Sequence, residues 1–106
     1  NRADAGALAR AAARGLPHAV LADPSDGAAL DARLAAHGVD LVVLAGYLKL
    51  VPAAVTRRFR GRMLNVHPAL LPAFGGPGMY GRRVHAAVLA AGARVSGATV
   101  HFVDED

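Results

Sequence analysis

Asn65 and His67 stand two residues apart in Asn65-Val66-His67-Pro68, at the end of a short apolar run. In extended backbone two such side chains leave the same face and can converge on one small group. An asparagine amide can donate its hydrogens to an oxyanion, and an imidazole can move a proton near neutral pH. Addition of an amine to a formyl carbonyl needs both services. Pro68 biases the residue before it toward extended backbone, which favours that geometry. On the residues alone a second reading stands beside this one, in which Asn65 closes a turn and His67 is a satisfied polar residue at the edge of the core.

The other candidates for chemistry are weaker. His18, His37 and His85 share no spacing that suggests a metal, and without cysteine no thiolate site can form, so no metal is expected. His37, next to Gly38, is explained by the dipole at a helix end. Lys+Arg number 12 against 8 Asp+Glu, a net charge of +4, and every one of the basic residues except Lys49 is arginine. Arg57, Arg58, Arg60 and Arg62 cluster, as do Arg82 and Arg83, but only Phe59 lies near the first group and no stacking motif surrounds it. A solvated basic face fits this pattern better than nucleic-acid binding.

The elements that must position Asn65 and His67 alternate between helix and strand. A helix capped by Asn1 or Asp4 runs over 8–14 and stops at Gly15 and Pro17. Residues 18–22 read as a short strand. After the turn cluster Asp23-Pro24-Ser25-Asp26-Gly27, Leu30 and Leu34 set the apolar stripe of a second helix ending at Gly38. The continuous apolar run over 40–45 reads as a strand covered on both faces, closed by Gly46. Pro52 suits the first position of a short helix through Phe59. Residues 62–66 read as the next strand, followed by a Pro- and Gly-rich loop over 67–81 that is long for a small domain. A helix over 83–91, with Val84 and Val88 on one face, and a strand over 98–103 complete the series. Such alternation implies a parallel or mostly parallel α/β sheet with its site at the carboxyl ends of strands.

At 106 residues, 54% of them apolar, the chain has the size of one small core. No apolar run approaches the roughly 18 residues of a membrane span, and no signal-peptide pattern appears, so a cytoplasmic protein is the default expectation. The chain starts at Asn1 inside what reads as a cap and helix and stops just after a strand. Both ends read as cut. No oligomeric state is assigned.

Longer stretches carry a resemblance. Leu41-Val42-Val43-Leu44-Ala45-Gly46-Tyr47-Leu48 and Met63-Leu64-Asn65-Val66-His67-Pro68-Ala69-Leu70-Leu71-Pro72, then Gly78-Met79-Tyr80-Gly81, Val84-His85, Ser96-Gly97 and Thr99-Val100-His101-Phe102-Val103-Asp104-Glu105, resemble the phosphoribosylglycinamide formyltransferases. The resemblance covers essentially the whole chain. It implies a doubly wound, mostly parallel, Rossmann-like formyltransferase fold, incomplete at both ends. Residues 1–106 would be a partial domain lacking the phosphate-loop strand and the C-terminal part. The implied reaction moves a formyl group from 10-formyltetrahydrofolate, the co-substrate, to the amine of phosphoribosylglycinamide in purine biosynthesis. The implied partners are thus folate and a small phosphorylated amine, with no nucleic acid and no membrane.

By the same resemblance Asn65 contacts the formyl oxygen and His67 transfers the proton. Leu48, Lys49, Leu50 and Val51 receive the pteridine, and Thr99 and His101 are supporting hydrogen-bond partners. The family's catalytic aspartate would follow the strand that ends at Val103, and Asp104, Glu105 and Asp106 match residues ahead of it. The glycine-rich phosphate loop falls before Asn1. The chain by itself is therefore expected to be inactive. The alternatives are methionyl-tRNA formyltransferase, formyltetrahydrofolate deformylase, and a noncatalytic folate-binding α/β remnant.

Overall fold

The computed structural model describes residues 5–47 and 49–104. Among the described residues four helices and three strands follow one another as α1 (Gly6–Ala13), α2 (Gly27–Ala36), β1 (Val42–Leu44), α3 (Ala53–Arg58), β2 (Met63–His67), α4 (Arg82–Ala90) and β3 (Thr99–Phe102). The sheet runs in the order β1-β2-β3. β1 and β2 are parallel, with α3 in the connection between them, and β3 is antiparallel to β2. The α/β class expected from the alternation is present, in a mixed sheet.

Local chemistry explains most of the boundaries. Asp26 caps α2 by accepting from the Ala29 amide at 2.9 Å. The turn before it is tied by Asp23, whose carboxylate accepts from the hydroxyl and the amide of Ser25. Those two bonds, the hydroxyl's first, hold the Asp23 carboxyl below its ordinary range. Pro52 precedes α3 rather than opening it. Its ψ of 137° is extended, and its carbonyl accepts from the amides of Val55 and Thr56. Gly27, the first residue of α2, lies so close to the Pro52 ring that an added Cβ would sit 3.0 Å from the Pro52 Cβ, which lets the two helix starts meet. The caps expected at Asn1 and Asp4 fall outside the described residues.

Two sequence expectations differ from the structure. Residues 18–22 form no strand, because no described segment offers them a hydrogen-bond ladder. β1 is covered on one face only: Val42 and Leu44 are half-buried while Val43 is 55% exposed. A continuous apolar run cannot show which of its faces is covered, and among the described residues nothing packs on the far one.

Register sorts the sheet's side chains cleanly. Val42 pairs with Met63 and Leu44 with Asn65, while Asn65 pairs with His101 and His67 with Thr99. Alternation therefore puts Val42, Leu44, Met63, Asn65, His67, Thr99 and His101 on one face. The opposite face carries Val43, Leu64, Val66, Val100 and Phe102, and of these Phe102 is 66% exposed.

Buried apolar side chains gather in two patches, the first of them on the covered face of the sheet. Met63, wholly buried, meets Val55 of α3 and Phe59 at its C-terminal cap, with Leu30 and Leu34 of α2 packed alongside. Full burial of a side chain such as Phe59 or Met63 contributes about 1.5–3 kcal/mol. Arg58 and Arg62 lie against the Phe59 ring at 5.4 and 5.1 Å, and Arg58 pairs with Asp31 to join α3 to α2. The second patch joins Val84 and Val88 of α4 to Ala69, with Phe74 and Met79 beside them. The loop between β2 and α4 is thus a packed layer at the carboxyl end of β2.

Candidate active site

His67 is the last residue of β2 and only 9% exposed. The loop folds back over it, and His67 Nε2 lies 2.8 Å from the carbonyl oxygen of Phe74. A carbonyl can only accept, so Nε2 carries the hydrogen and the neutral ring keeps its lone pair on Nδ1. Opposite His67 in the ladder, Thr99 fastens the start of the loop: its hydroxyl donates to Ala69 O at 2.7 Å and accepts from the Leu71 amide at 3.0 Å.

The next pair along the same face is Asn65 and His101. His101 Nδ1 is 3.0 Å from the Phe102 carbonyl and so carries the hydrogen. His101 Nε2 is then an acceptor, and Asn65 Nδ2 donates to it at 3.2 Å. The bond uses one of the two amide hydrogens of Asn65 and orients the group. The second hydrogen is left for a ligand.

Asn65 and His67 line one cleft of about 520 Å³ with Ala45, Gly46, Tyr47, Tyr80 and His85 among its other walls. Its place follows from topology. Ala45 and Gly46 follow β1, His67 and Pro68 end β2, and the antiparallel β3 brings Ala98 to the same end. This is the carboxyl end of the parallel pair, where α/β sheets place their ligands. A convergent amide donor and an imidazole in a cleft walled by two tyrosines can hold a small carbonyl and move a proton beside it.

The other expected residues are distributed differently. Thr99 and His101 adjoin the pair through the ladder and the bonds above. Leu50 and Val51 line a separate cleft of about 450 Å³ with Ser25, Pro52, Thr56, Val103 and Asp104, and Leu50 is 92% exposed. Lys49 is exposed, and Leu48 lies outside the described residues. Sequence reading assigned no role to Tyr47, Tyr80 or His85. Gly78-Met79-Tyr80-Gly81 was visible as a motif, but only the fold shows that the loop returns it to the end of β2. Among the described residues no group of three or more His, Asp or Glu side chains could hold a metal ion, and no helix is long and apolar enough to cross a membrane.

Comparison with known proteins points the same way. The model of a family described as formyl transferase matches residues 2–106. The chloroplastic phosphoribosylglycinamide formyltransferase of Arabidopsis thaliana is 50% identical, over all of this chain and 39% of that protein. The phosphoribosylglycinamide formyltransferase of Haemophilus influenzae is 39% identical, over all of this chain and 50% of that protein. Among solved structures, glycinamide ribonucleotide transformylase 1 of Symbiobacterium toebii superposes with a TM-score of 0.83 at 44% identity, over 99% of this chain and 50% of that one. The chain spans half or less of the length of each of these relatives.

Proposed function

The chain belongs to the formyl transferase family, and on that premise we propose that its protein transfers a formyl group from 10-formyltetrahydrofolate to the amine of phosphoribosylglycinamide. The observation that carries the reading is the placement of Asn65 and His67 on one face of β2, in one cleft at the carboxyl end of the parallel pair. The relatives named above supply the substrate class.

In this reading the substrate amine attacks the formyl carbon and the carbonyl electrons move onto oxygen. The free amide hydrogen of Asn65 meets that oxyanion. His67 takes a proton from the attacking nitrogen at Nδ1, since Nε2 is engaged with Phe74. It returns the proton to the folate nitrogen as the bond from that nitrogen to the formyl carbon breaks. Thr99 and His101 support the pair without touching the reacting atoms. The segment of exposed Lys49 and Leu50 and half-buried Val51, the last two lining their own cleft, receives the pteridine end of the donor.

Residues 1–106 form part of a formyltransferase domain in this proposal, and the polypeptide tested alone gives little turnover, in keeping with the half or less of its relatives that it spans. The cytoplasm is the proposed compartment; the plastid named for the Arabidopsis relative would suit the same chemistry.

The test uses the full-length natural protein with formyl folate and phosphoribosylglycinamide. His67→Ala is expected to lower kcat by roughly 10²–10⁴-fold, the usual range for a positioned acid–base, with folate affinity little changed. Equal losses in kcat and folate affinity would make His67 a binding or folding residue. Release of formate with no acceptor present would instead favour a deformylase.

A further inference from the structure

The reading of His67 as the proton carrier leaves open what selects its reactive nitrogen. What the ring meets is main chain: Phe74 O accepts from Nε2 at 2.8 Å. Among the described residues Phe74 is also the one non-glycine residue with a positive φ, 57°. The left-handed region is unfavourable for a side chain of this size, and such backbone persists only where the surroundings hold it.

The surroundings do hold it. The Phe74 side chain packs against the patch of Ala69, Val84 and Val88, which ties the middle of the loop to α4. Thr99 pins the start of the loop from β3 through Ala69 O and the Leu71 amide. Between these two anchors the chain reverses and turns the Phe74 carbonyl onto the imidazole. In an extended conformation the same carbonyl would point elsewhere.

We propose that the main-chain carbonyl of Phe74, held in the left-handed conformation, is the positioning group that fixes His67 as its Nε2–H tautomer and leaves Nδ1 to take and return the proton. Phe74 is a positioning residue here, acting through its backbone. The catalytic half of the statement rests on the formyl-transfer reading. The tautomer half does not.

The experiment compares the full-length natural protein with its Phe74→Gly, Phe74→Asn and Phe74→Val variants. Glycine and asparagine accept positive φ, whereas a β-branched residue resists it. Nitrogen NMR of the His67 ring reports which nitrogen carries the hydrogen, and steady-state kinetics reports turnover. The wild type, Phe74→Gly and Phe74→Asn should all show the Nε2–H tautomer, with kcat of the two variants lowered by less than about tenfold and less than that of Phe74→Val. Phe74→Val should show mixed tautomers and a kcat lowered roughly ten- to a hundredfold with KM little changed, the size seen when a group orienting a histidine is lost. An Nδ1–H tautomer in the wild type overturns the proposal, and this needs no variant to fold. So does a Phe74→Val protein with the wild-type tautomer, or loss of the tautomer in Phe74→Gly and Phe74→Asn alike. Failure of the functional reading looks different: the wild type then transfers no formyl group while its tautomer is as stated.

Discussion

Asn65 has two amide hydrogens, and His101 takes one of them. The neighbouring bond from His101 Nδ1 to the Phe102 carbonyl makes His101 Nε2 an acceptor, which in turn settles which end of the Asn65 amide faces it. Under the proposed function, replacing Asn65 with Ala removes the donor to the oxyanion and should lower kcat by about 10²–10³-fold. His101→Phe keeps the donor but leaves it unoriented, and a smaller loss of roughly tenfold is expected, with unchanged KM for the formyl folate. Steady-state kinetics on the two full-length variants checks both, and a His101→Phe enzyme as fast as wild type would show that the ladder alone orients Asn65. At this scale the sequence singled out Asn65 and His67 by side-chain type and spacing, and the structure brings both to one cleft. The sequence could not disclose the Phe74 carbonyl, because a backbone group has no residue identity and nothing about phenylalanine announces a positive φ.

The strand that carries the pair is fixed by its first residue. Met63 is buried beneath α2 and α3 and sits two positions before Asn65 on the same face. A one-residue slip of β2 would turn Met63 out of the core and Asn65 and His67 out of the cleft together, so core packing and site register are one constraint. Met63→Ala should cost about 2–5 kcal/mol, read as a lower urea midpoint of the full-length protein. A change below about 1 kcal/mol would mean that the ladder to β1 and β3 sets the register unaided. Helices were legible from the i, i+4 pairs Leu30 and Leu34 and Val84 and Val88, whereas Asp26, read only as part of a turn cluster, proves to cap α2. Strands were less so. The run at β1 suggested cover on both faces, yet Val43 is exposed, and residues 18–22 have strand character without a partner. Both depend on contacts between elements that local pattern does not contain.

Across the whole molecule, the order of helix and strand implied the α/β class and a site at strand ends, but the direction of β3 came only from pairing. Its antiparallel course is what brings Thr99 and His101 against His67 and Asn65. The charge of +4 bears on the remaining choice, between a small phosphorylated acceptor and a transfer RNA. The basic cluster on α3 and after it is partly committed within the fold. Arg58 engages Asp31, Arg62 donates to the carbonyls of Asp40 and Arg58, and both lie against Phe59. Guanidiniums held this way serve the α2–α3 packing and are poorly placed to track a polyanion. A transfer RNA acceptor held by six or more phosphate contacts would lose about 10³-fold or more in affinity between roughly 50 and 200 mM salt. For the full-length protein acting on a small phosphorylated amine, kcat/KM should fall by less than about tenfold over that range, since one phosphate releases few counterions. Initial rates measured at a series of salt concentrations decide it: a steep decline together with competition by transfer RNA would move the assignment to the nucleic-acid acceptor, and a shallow one keeps the small amine.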